Sequence, residues 1–465
     1  MKKTIPLKRI HFIGIGGIGM SAIAEMLDDL GLNVQGSDAK ESANTERVRK
    51  SGIPVFIGHN ADNLAGADAV VVSTAIESDN PELVAAKKMG IPVGHRSEML
   101  AEILRFKQSI CISGTHGKTT TSSMIASVLM AARMHPSFVI GGILNSLGAN
   151  ARLGKGKYVV VEADESDGSF LKLPHAVSVV TNIDPEHMDF YKDFNTMKQA
   201  YRLFVDNTSF YGFTVLNTDH PVVKDMAEEI SERKKITYGL NKSADIHADQ
   251  VRVKKGRLVF DVFVRRGAKF TKIKDVTLNM LGLHNVQNAL AAFAVGTGLG
   301  IKDDVIKKAL RKFKGIQRRL TLRGKVKGVS VYDDYGHHPV EIGATLSAVR
   351  SAVPAKVVAV FQPHRYTRLK DLWNEFLTCF NDADTVIVCD VFPAGEQPID
   401  GVNKEAFAEA LSKVHPDVRI LDGFDALAPM IQKMTASKDT VVCLGAGSIS
   451  SESVKLVKAL KGKTK

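Results

Sequence analysis

The chain is poor in the residues that would mark an oxidising compartment, a metal cluster or a membrane. Only four cysteines occur in 465 residues, Cys111, Cys379, Cys389 and Cys443. They stand far apart in or beside apolar runs, which excludes a disulfide framework and zinc-ligand spacing and suits buried free thiols. No apolar run approaches membrane-spanning length, and residues 1–6 lead straight into a strand pattern without the apolar core of a signal peptide. The expected location is the cytoplasm, with no membrane insertion. Low-complexity tracts and short-period repeats are missing as well. The net charge is +12, yet the basic residues are scattered. Their densest stretch, 252–274, alternates with apolar residues like the solvated face of β-strands, so no nucleic-acid partner is expected. A positive balance suits anionic small substrates instead. Apolar and charged contents of 44% and 24% are those of a globular enzyme. The length suggests about three domains.

What is present is a short glycine loop, Gly114-Thr115-His116-Gly117-Lys118-Thr119-Thr120. It follows the apolar run 109–113 and opens a helical pattern over 121–132. Strand, glycine loop, lysine-threonine and helix together hold a nucleoside triphosphate: N–H groups at a helix start point at phosphate oxygens, and the helix dipole favours negative charge. Lys118 adds a point charge near the terminal phosphates, and Thr119 offers a hydroxyl to Mg²⁺. The loop is shorter than the usual form, its first glycine lying three residues before the second. A plain turn would need the glycines but not the lysine and threonines behind them.

The chain divides into three α/β segments, expected over 1–106, 107–314 and 315–465. In the first, strand 9–13 runs into a second glycine loop, Gly14-Ile15-Gly16-Gly17-Ile18-Gly19, then a helix over 20–30 and a strand over 33–36. Asp38 follows at the distance of the dinucleotide fingerprint, which predicts a doubly wound sheet. The ligand is left open, because such loops bind the pyrophosphate of several nucleotides. A buried strand at 69–72 delivers Ser73 and Thr74.

In the second segment, strands 157–161 and 176–180 deliver two acidic clusters, one opening with Glu162 and the other ending in His187. Ligands of parallel sheets bind beyond the carboxyl ends of strands, so both clusters fall beside the phosphate loop. One carboxylate there is expected to complete a Mg²⁺ shell. Asn285 and Asn288 share the first turn of a helix, where asparagine also serves as a cap. In the third segment, strands expected at 328–332, 356–361, 383–389, 417–421 and 440–444 alternate with helices such as 340–349 and 369–380. The clusters Asp333-Asp334-Tyr335-Gly336-His337-His338-Pro339 and Gln362-Pro363-His364-Arg365 follow two of these strands. The adjacent histidines lack a partner at metal-ligand spacing, which argues against a metal there.

These motifs, in this order and over nearly the whole length, resemble the Mur ligase family. The resemblance rests on residues 114–120, on Glu162 in Val161-Glu162-Ala163-Asp164-Glu165-Ser166-Asp167-Gly168 and on His187 in Asp184-Pro185-Glu186-His187-Met188. It extends through His284-Asn285 with Asn288, Arg318-Arg319 and residues 333–339. It implies three domains: a Rossmann-like one for a UDP-sugar, a central ATP-binding one, and a C-terminal Rossmann-like one that closes. Gly14, Gly16, Gly17 and Gly19 would then face the pyrophosphate of UDP-N-acetylmuramate, with Asp38, Ser73, Thr74 and Arg96 nearby. Gly114, Thr115, His116, Gly117, Lys118, Thr119 and Thr120 would cradle ATP, with Thr119 and Glu162 on Mg²⁺ and His187 at a second metal position. Asn285 and Asn288 would approach adenine, and Arg319 and Asp334 would reach ATP. His337, His364 and Arg365 would border the amino-acid site.

The resemblance is nearest to the branch that adds L-alanine to UDP-N-acetylmuramate. The reaction would pass through an acyl phosphate, giving ADP and phosphate. The later ligases carry a carbamylated lysine in a segment matched here by Gln199-Ala200-Tyr201-Arg202-Leu203-Phe204, which has no lysine. Leu320 stands where an aromatic residue is expected. The alternatives are a ligase joining a preformed peptide to the same nucleotide sugar and, from another class, an NAD-dependent dehydrogenase using the Gly14 loop. The dehydrogenase reading leaves the second glycine loop without a purpose.

Overall fold

The computed structural model describes residues 8–105, 107–254 and 256–462. Three sheets follow one another along the chain. The first has five strands in the order Val55–Ile57, Asn33–Asp38, Arg9–Ile13, Ala69–Val72, Val93–His95, all pairs parallel. Arg9–Ile13 is central and its last four residues are buried, because helices cover both faces of a doubly wound sheet. The order reverses at this strand, so a crevice opens beyond its carboxyl end, where Gly14 begins. The following helix spans Ile18–Asp29, earlier than the apolar period predicts, because Gly17 takes the N-cap position.

The second sheet has ten strands. Its parallel middle runs Thr208–Asn217, His175–Val180, Gln108–Ser113, Tyr158–Glu162, Ser137–Leu144. Ala149–Arg152 lies antiparallel on one edge. The other side continues through Lys235–Gly239, Ile246–Lys254, Arg257–Arg266 and Lys269–Leu278. The basic stretch 252–274 falls on these last strands with many of its charged residues exposed, as the alternation requires. The helix after the phosphate loop, Lys118–Ala131, buries ten residues, including Thr119 and Thr120.

The third sheet is ordered Thr321–Val326, Val329–Asp334, Thr440–Leu444, Val357–Phe361, Thr385–Val388, Val418–Ile420. Its first strand is antiparallel to the second and was not expected from the sequence. The two form a hairpin closed by Lys327 and Gly328, at φ 49° and 87°, a turn whose twist matches the strands. The expected helix over 369–380 is broken at Leu372 into Tyr366–Asp371 and Trp373–Thr378.

The chain compacts into two units, Met1–Gln250 with Phe260–Val276 and Gln287–Lys314, and Val251–Val259 with Thr277–Val286 and Gly315–Lys465. The first sheet and most of the second share the first unit for a physical reason. One buried cluster runs from Phe12, Ile23 and Leu27 through Leu100 and Leu104 to Val139, Val161 and Tyr201, so their cores are continuous.

Candidate active site

The first glycine loop is held by the end of the neighbouring strand. Gly14 and Ile15 donate N–H bonds to the Ser37 carbonyl at 2.8 and 2.9 Å, and Gly16 N–H donates to Asp38 Oδ2 at 2.9 Å. A Cβ at Gly16 would approach Asp38 Oδ2 to 2.7 Å, so the loop lies tight on that carboxylate. Asp38 therefore shapes the loop in this structure. Gly17 caps the helix without any side chain, leaving the first-turn N–H groups for an anion. Ser73 and Thr74 follow the adjacent strand, Ala69–Val72, which pairs through Phe12 and Val71. Arg96 Nη1 lies 3.0 Å from the position of a Cβ on Gly19, and Arg96 Nη2 pairs with Asp164 at 3.2 Å. This arginine links the first loop to the acidic cluster of the second sheet.

The phosphate loop is fixed by the second acidic strand end. Thr115 N–H donates to the Asn182 carbonyl at 3.2 Å, and His116 N–H donates to Asn182 Oδ1 at 2.6 Å. Asp184 lies 3.6 Å from the His116 ring and 3.2 Å from that of His220. Gly114 and Gly117 have φ of 138° and 81°, which only glycine adopts readily. A Cβ on Gly117 would come within 2.7 Å of Asn288 Oδ1. Asn288 also accepts the Thr121 hydroxyl at 3.0 Å, which brings it to the loop. Asn285 donates its Nδ2 to the Leu281 carbonyl at 2.7 Å, so its amide is turned back on the chain before the helix.

Lys118 Nζ donates to the Gly114 and Thr115 carbonyls at 2.6 and 3.1 Å and to Glu165 Oε1 at 2.7 Å. Burial opposes its charge, but Glu165 and Asp164 outweigh burial and raise the ammonium above the usual lysine range. Burial lifts the Glu165 carboxyl to about 7 against the pull of Lys118. Thr119 donates its hydroxyl to Glu162 Oε1 at 3.0 Å, and Gly141 N–H holds Glu162 Oε2 at 2.7 Å. A hydroxyl and a carboxylate already in contact are the hard oxygen donors that suit Mg²⁺ beside a triphosphate. His187 joins Glu165 and Glu186 with ligand atoms all within 4.8 Å of one another, a set able to hold a second cation. Glu165 and Glu186 were not singled out from sequence. Their signal was their position after strand ends, but spacing alone does not say which of several neighbouring carboxylates turns inward.

In the second unit, Asp334 Oδ2 accepts the Leu320 N–H at 2.7 Å and Oδ1 the Gly336 N–H at 2.8 Å. Burial raises its carboxyl above the usual range. The Arg318 and Arg319 guanidinium groups lie 4.5 and 5.4 Å from the Tyr335 ring centre, so Tyr335 supplies an aromatic partner although position 320 is leucine. Arg318 also donates to the Gly445 and Gly447 carbonyls, at 3.1 and 3.3 Å, which makes it a strut for the last glycine turn. Arg319 lies 3.6 Å from Glu341, which also faces His337 at 3.6 Å. His284 is buried with Arg319 nearby, which pushes its imidazole down to about 4. His337 and His364 have ring centres 5.8 Å apart. Arg365 is exposed and holds a left-handed φ of 72°, backbone strain of the kind that collects at functional sites.

Comparison with known proteins decides the family. Residues 9–108 match the Mur ligase family catalytic domain, 112–296 the Mur ligase middle domain and 318–447 the Mur ligase glutamate ligase domain. A UDP-N-acetylmuramate–L-alanine ligase of Sinorhizobium medicae is 52% identical over 463 residues, 99% of this chain and 98% of that protein. The chain belongs to the Mur ligase family. A ligase of the same name from Brucella anthropi is also 52% identical, with 99% of each chain covered. The solved UDP-N-acetylmuramate–alanine ligase of Thermotoga maritima superposes with a TM-score of 0.84 at 29% identity, covering 98% of this Mur ligase and 100% of that chain. A murein peptide ligase of Psychrobacter arcticus shares the fold, with a TM-score of 0.71 at 22% identity, 98% of this chain and 100% of that one being covered.

Proposed function

We propose that this Mur ligase joins L-alanine to the carboxylate of UDP-N-acetylmuramate with conversion of ATP to ADP and phosphate, a cytoplasmic step of peptidoglycan precursor synthesis. The observation that carries the reading is the full-length agreement with ligases of that name at 52% identity, both glycine loops included. It agrees with the lack of lysine at 199–204 and leaves the peptide-adding alternative second. Two glycine loops within one unit, joined through Arg96 and Asp164, suit a nucleotide sugar and a triphosphate bound together.

An amide cannot form directly from a carboxylate, whose oxygen is a poor leaving group. Phosphoryl transfer from ATP to the muramyl carboxylate gives an acyl phosphate, which the alanine amine attacks with loss of phosphate. Such transfer needs alignment and charge stabilisation more than covalent help. Lys118 supplies positive charge at the phosphates, and the first-turn N–H groups of 118–131 supply more. Thr119 and Glu162 would hold Mg²⁺, with Glu165, Glu186 and His187 for a second ion; bound there, the metal neutralises charge between two anions. Arg319 and Asp334 are assigned to ATP. Burial and the neighbouring His337, Arg368 and Arg365 push His364 down to about 3, so it is a weak base. His337 has its Nδ1 3.1 Å from the Tyr335 carbonyl, and its ring is assigned the proton of the amine.

Isotope transfer tests the proposal. With ¹⁸O in the carboxylate of UDP-N-acetylmuramate, label is expected in the inorganic phosphate released with ADP when L-alanine is the acceptor. Release of AMP and pyrophosphate, or no product with alanine and full product with a tripeptide, would reverse it.

A further inference from the structure

The acidic turn after the strand Tyr158–Glu162 faces two ways. Glu165 turns inward to Lys118, whereas Asp164 and Asp167 turn outward to the start of the helix Arg96–Leu104. Three polar contacts line that seam. Asp164 Oδ2 accepts from Arg96 Nη2 at 3.2 Å, Asp167 Oδ2 lies 3.7 Å from His95 Nε2, and Glu98 Oε1 accepts from Lys172 at 3.2 Å. The last pair is more than half exposed on both sides and holds little. Beneath the seam, Leu100 and Leu104 share one buried cluster with Phe170 and Leu173. Apolar contact of this kind has no direction, so it does not set where the helix start points.

His95 is the N-cap of that helix, with Nδ1 3.4 Å from the Ser97 nitrogen and 2.7 Å from the Ser97 hydroxyl. The Ser97 N–H can only donate, so Nδ1 is the acceptor. Burial pushes the imidazole below the usual histidine range, against the pull of Asp167. A neutral ring that accepts at Nδ1 carries its proton on Nε2, and Nε2 faces Asp167. Asp167 Oδ1 is occupied by the Ser169 N–H at 3.0 Å. His95 Nε2 and Asp167 Oδ2 are both shielded from solvent, and neither has a hydrogen-bond partner elsewhere among the described residues. We propose that His95 and Asp167 are positioning residues: their contact fixes the helix start on the acidic turn and so aims Arg96 at the first glycine loop. Arg96 is the next residue along the chain, with Nη1 3.0 Å from the position of a Cβ on Gly19. One turn then serves both anion sites, Glu165 through Lys118 and the outer acids through Arg96. This deepens the ligase reading in one respect, that Arg96 meets the pyrophosphate of the nucleotide sugar.

The experiment measures calorimetric binding of UDP-N-acetylmuramate to the full chain, to His95→Asn, to Asp167→Asn and to the double variant. Asparagine at 95 still caps a helix but is too short to reach Asp167, and at 167 it keeps an oxygen for Ser169. Either single change is expected to weaken binding about fivefold, and the double variant should be no more than about twofold weaker than either. In the Arg96→Ala background each change should alter the affinity by less than about twofold. Affinity for a nonhydrolysable ATP analogue should also shift by less than about twofold, which separates positioning from a general loss of structure. Each single variant carries the test if the other does not fold. Unchanged affinity in the single variants, additive effects, an effect that survives Arg96→Ala, or parallel weakening of both nucleotides would each overturn the proposal. A wild type that binds no UDP-N-acetylmuramate would instead overturn the functional reading.

Discussion

Lys118 Nζ lies 2.7 Å from Glu165 Oε1, and the carboxylate that holds it is completely buried. The lysine is thus drawn over its own loop, bonded also to the Gly114 and Thr115 carbonyls. Two consequences follow, one for catalysis and one for stability. Lys118→Ala removes the charge from the phosphates, and turnover is expected to fall at least about a hundredfold. It also leaves Glu165 buried without its cation, so the melting temperature should fall too, as loss of one partner of a buried pair requires. Phosphate release and thermal melting of the purified variant check the two separately.

The first glycine loop is expected to bind a uridine nucleotide sugar rather than NAD. Arg96→Ala should weaken that binding by about tenfold or more, since a charged partner beside the loop is lost. Calorimetric titration with UDP-N-acetylmuramate, UDP and NAD measures this. Tight NAD binding without a response to the UDP sugar would reverse the assignment of Gly14 to Asp38.

Acid stability should depend on Glu82, beneath the same loop. Its Oε2 accepts from Ser37 Oγ at 2.5 Å and lies 3.3 Å from His11 Nε2, while Oε1 accepts from Asn63 at 2.5 Å. Burial favours the neutral acid, yet the bonds from His11, Ser37 and Asn63 outweigh it and hold the carboxyl down to about 2. A depressed carboxyl contributes stability that is present above its unfolded pKa of about 4.3 and lost as pH falls through its folded value. Wild-type stability should therefore decline between about pH 4 and 2, by at most about 3 kcal/mol from this group. Glu82→Gln should be less stable at neutral pH and show a shallower decline, as read by denaturant melts across that range.

His337 and His364, with ring centres 5.8 Å apart, should separate kinetically. With His364 pushed down to about 3, His364→Asn should leave the acid limb of the pH–rate profile in place. His337→Asn should lower kcat about a hundredfold, the usual contribution of a general base. The opposite pattern would assign the proton to His364.

Much of this was legible in the sequence because the signals are local. Gly14 to Gly19 and Gly114 to Thr120 announce themselves because a strand-to-helix turn that faces an anion needs glycine and N–H groups at fixed places. The central strands of each sheet read as apolar runs because both faces are covered. The antiparallel strand Thr321–Val326 was not legible: only its last residue is buried, so no apolar run marks it, and its turn begins with lysine in a left-handed conformation. Tyr335 as the partner of Arg318 and Arg319 was hidden for a different reason, since sequence order does not show which aromatic ring stacks on a guanidinium.

The sequence by itself determined the α/β class, the two glycine loops and the strand ends at which chemistry is placed, because backbone requirements repeat wherever such loops occur. Only the tertiary structure decided which carboxylate meets which cation. Glu162 turned to Thr119, Glu165 to Lys118 and Asp164 to Arg96, although the three acids lie within four residues. Side-chain direction at the end of a strand is set by the neighbouring elements that pack there, and a linear order of residues does not contain that information.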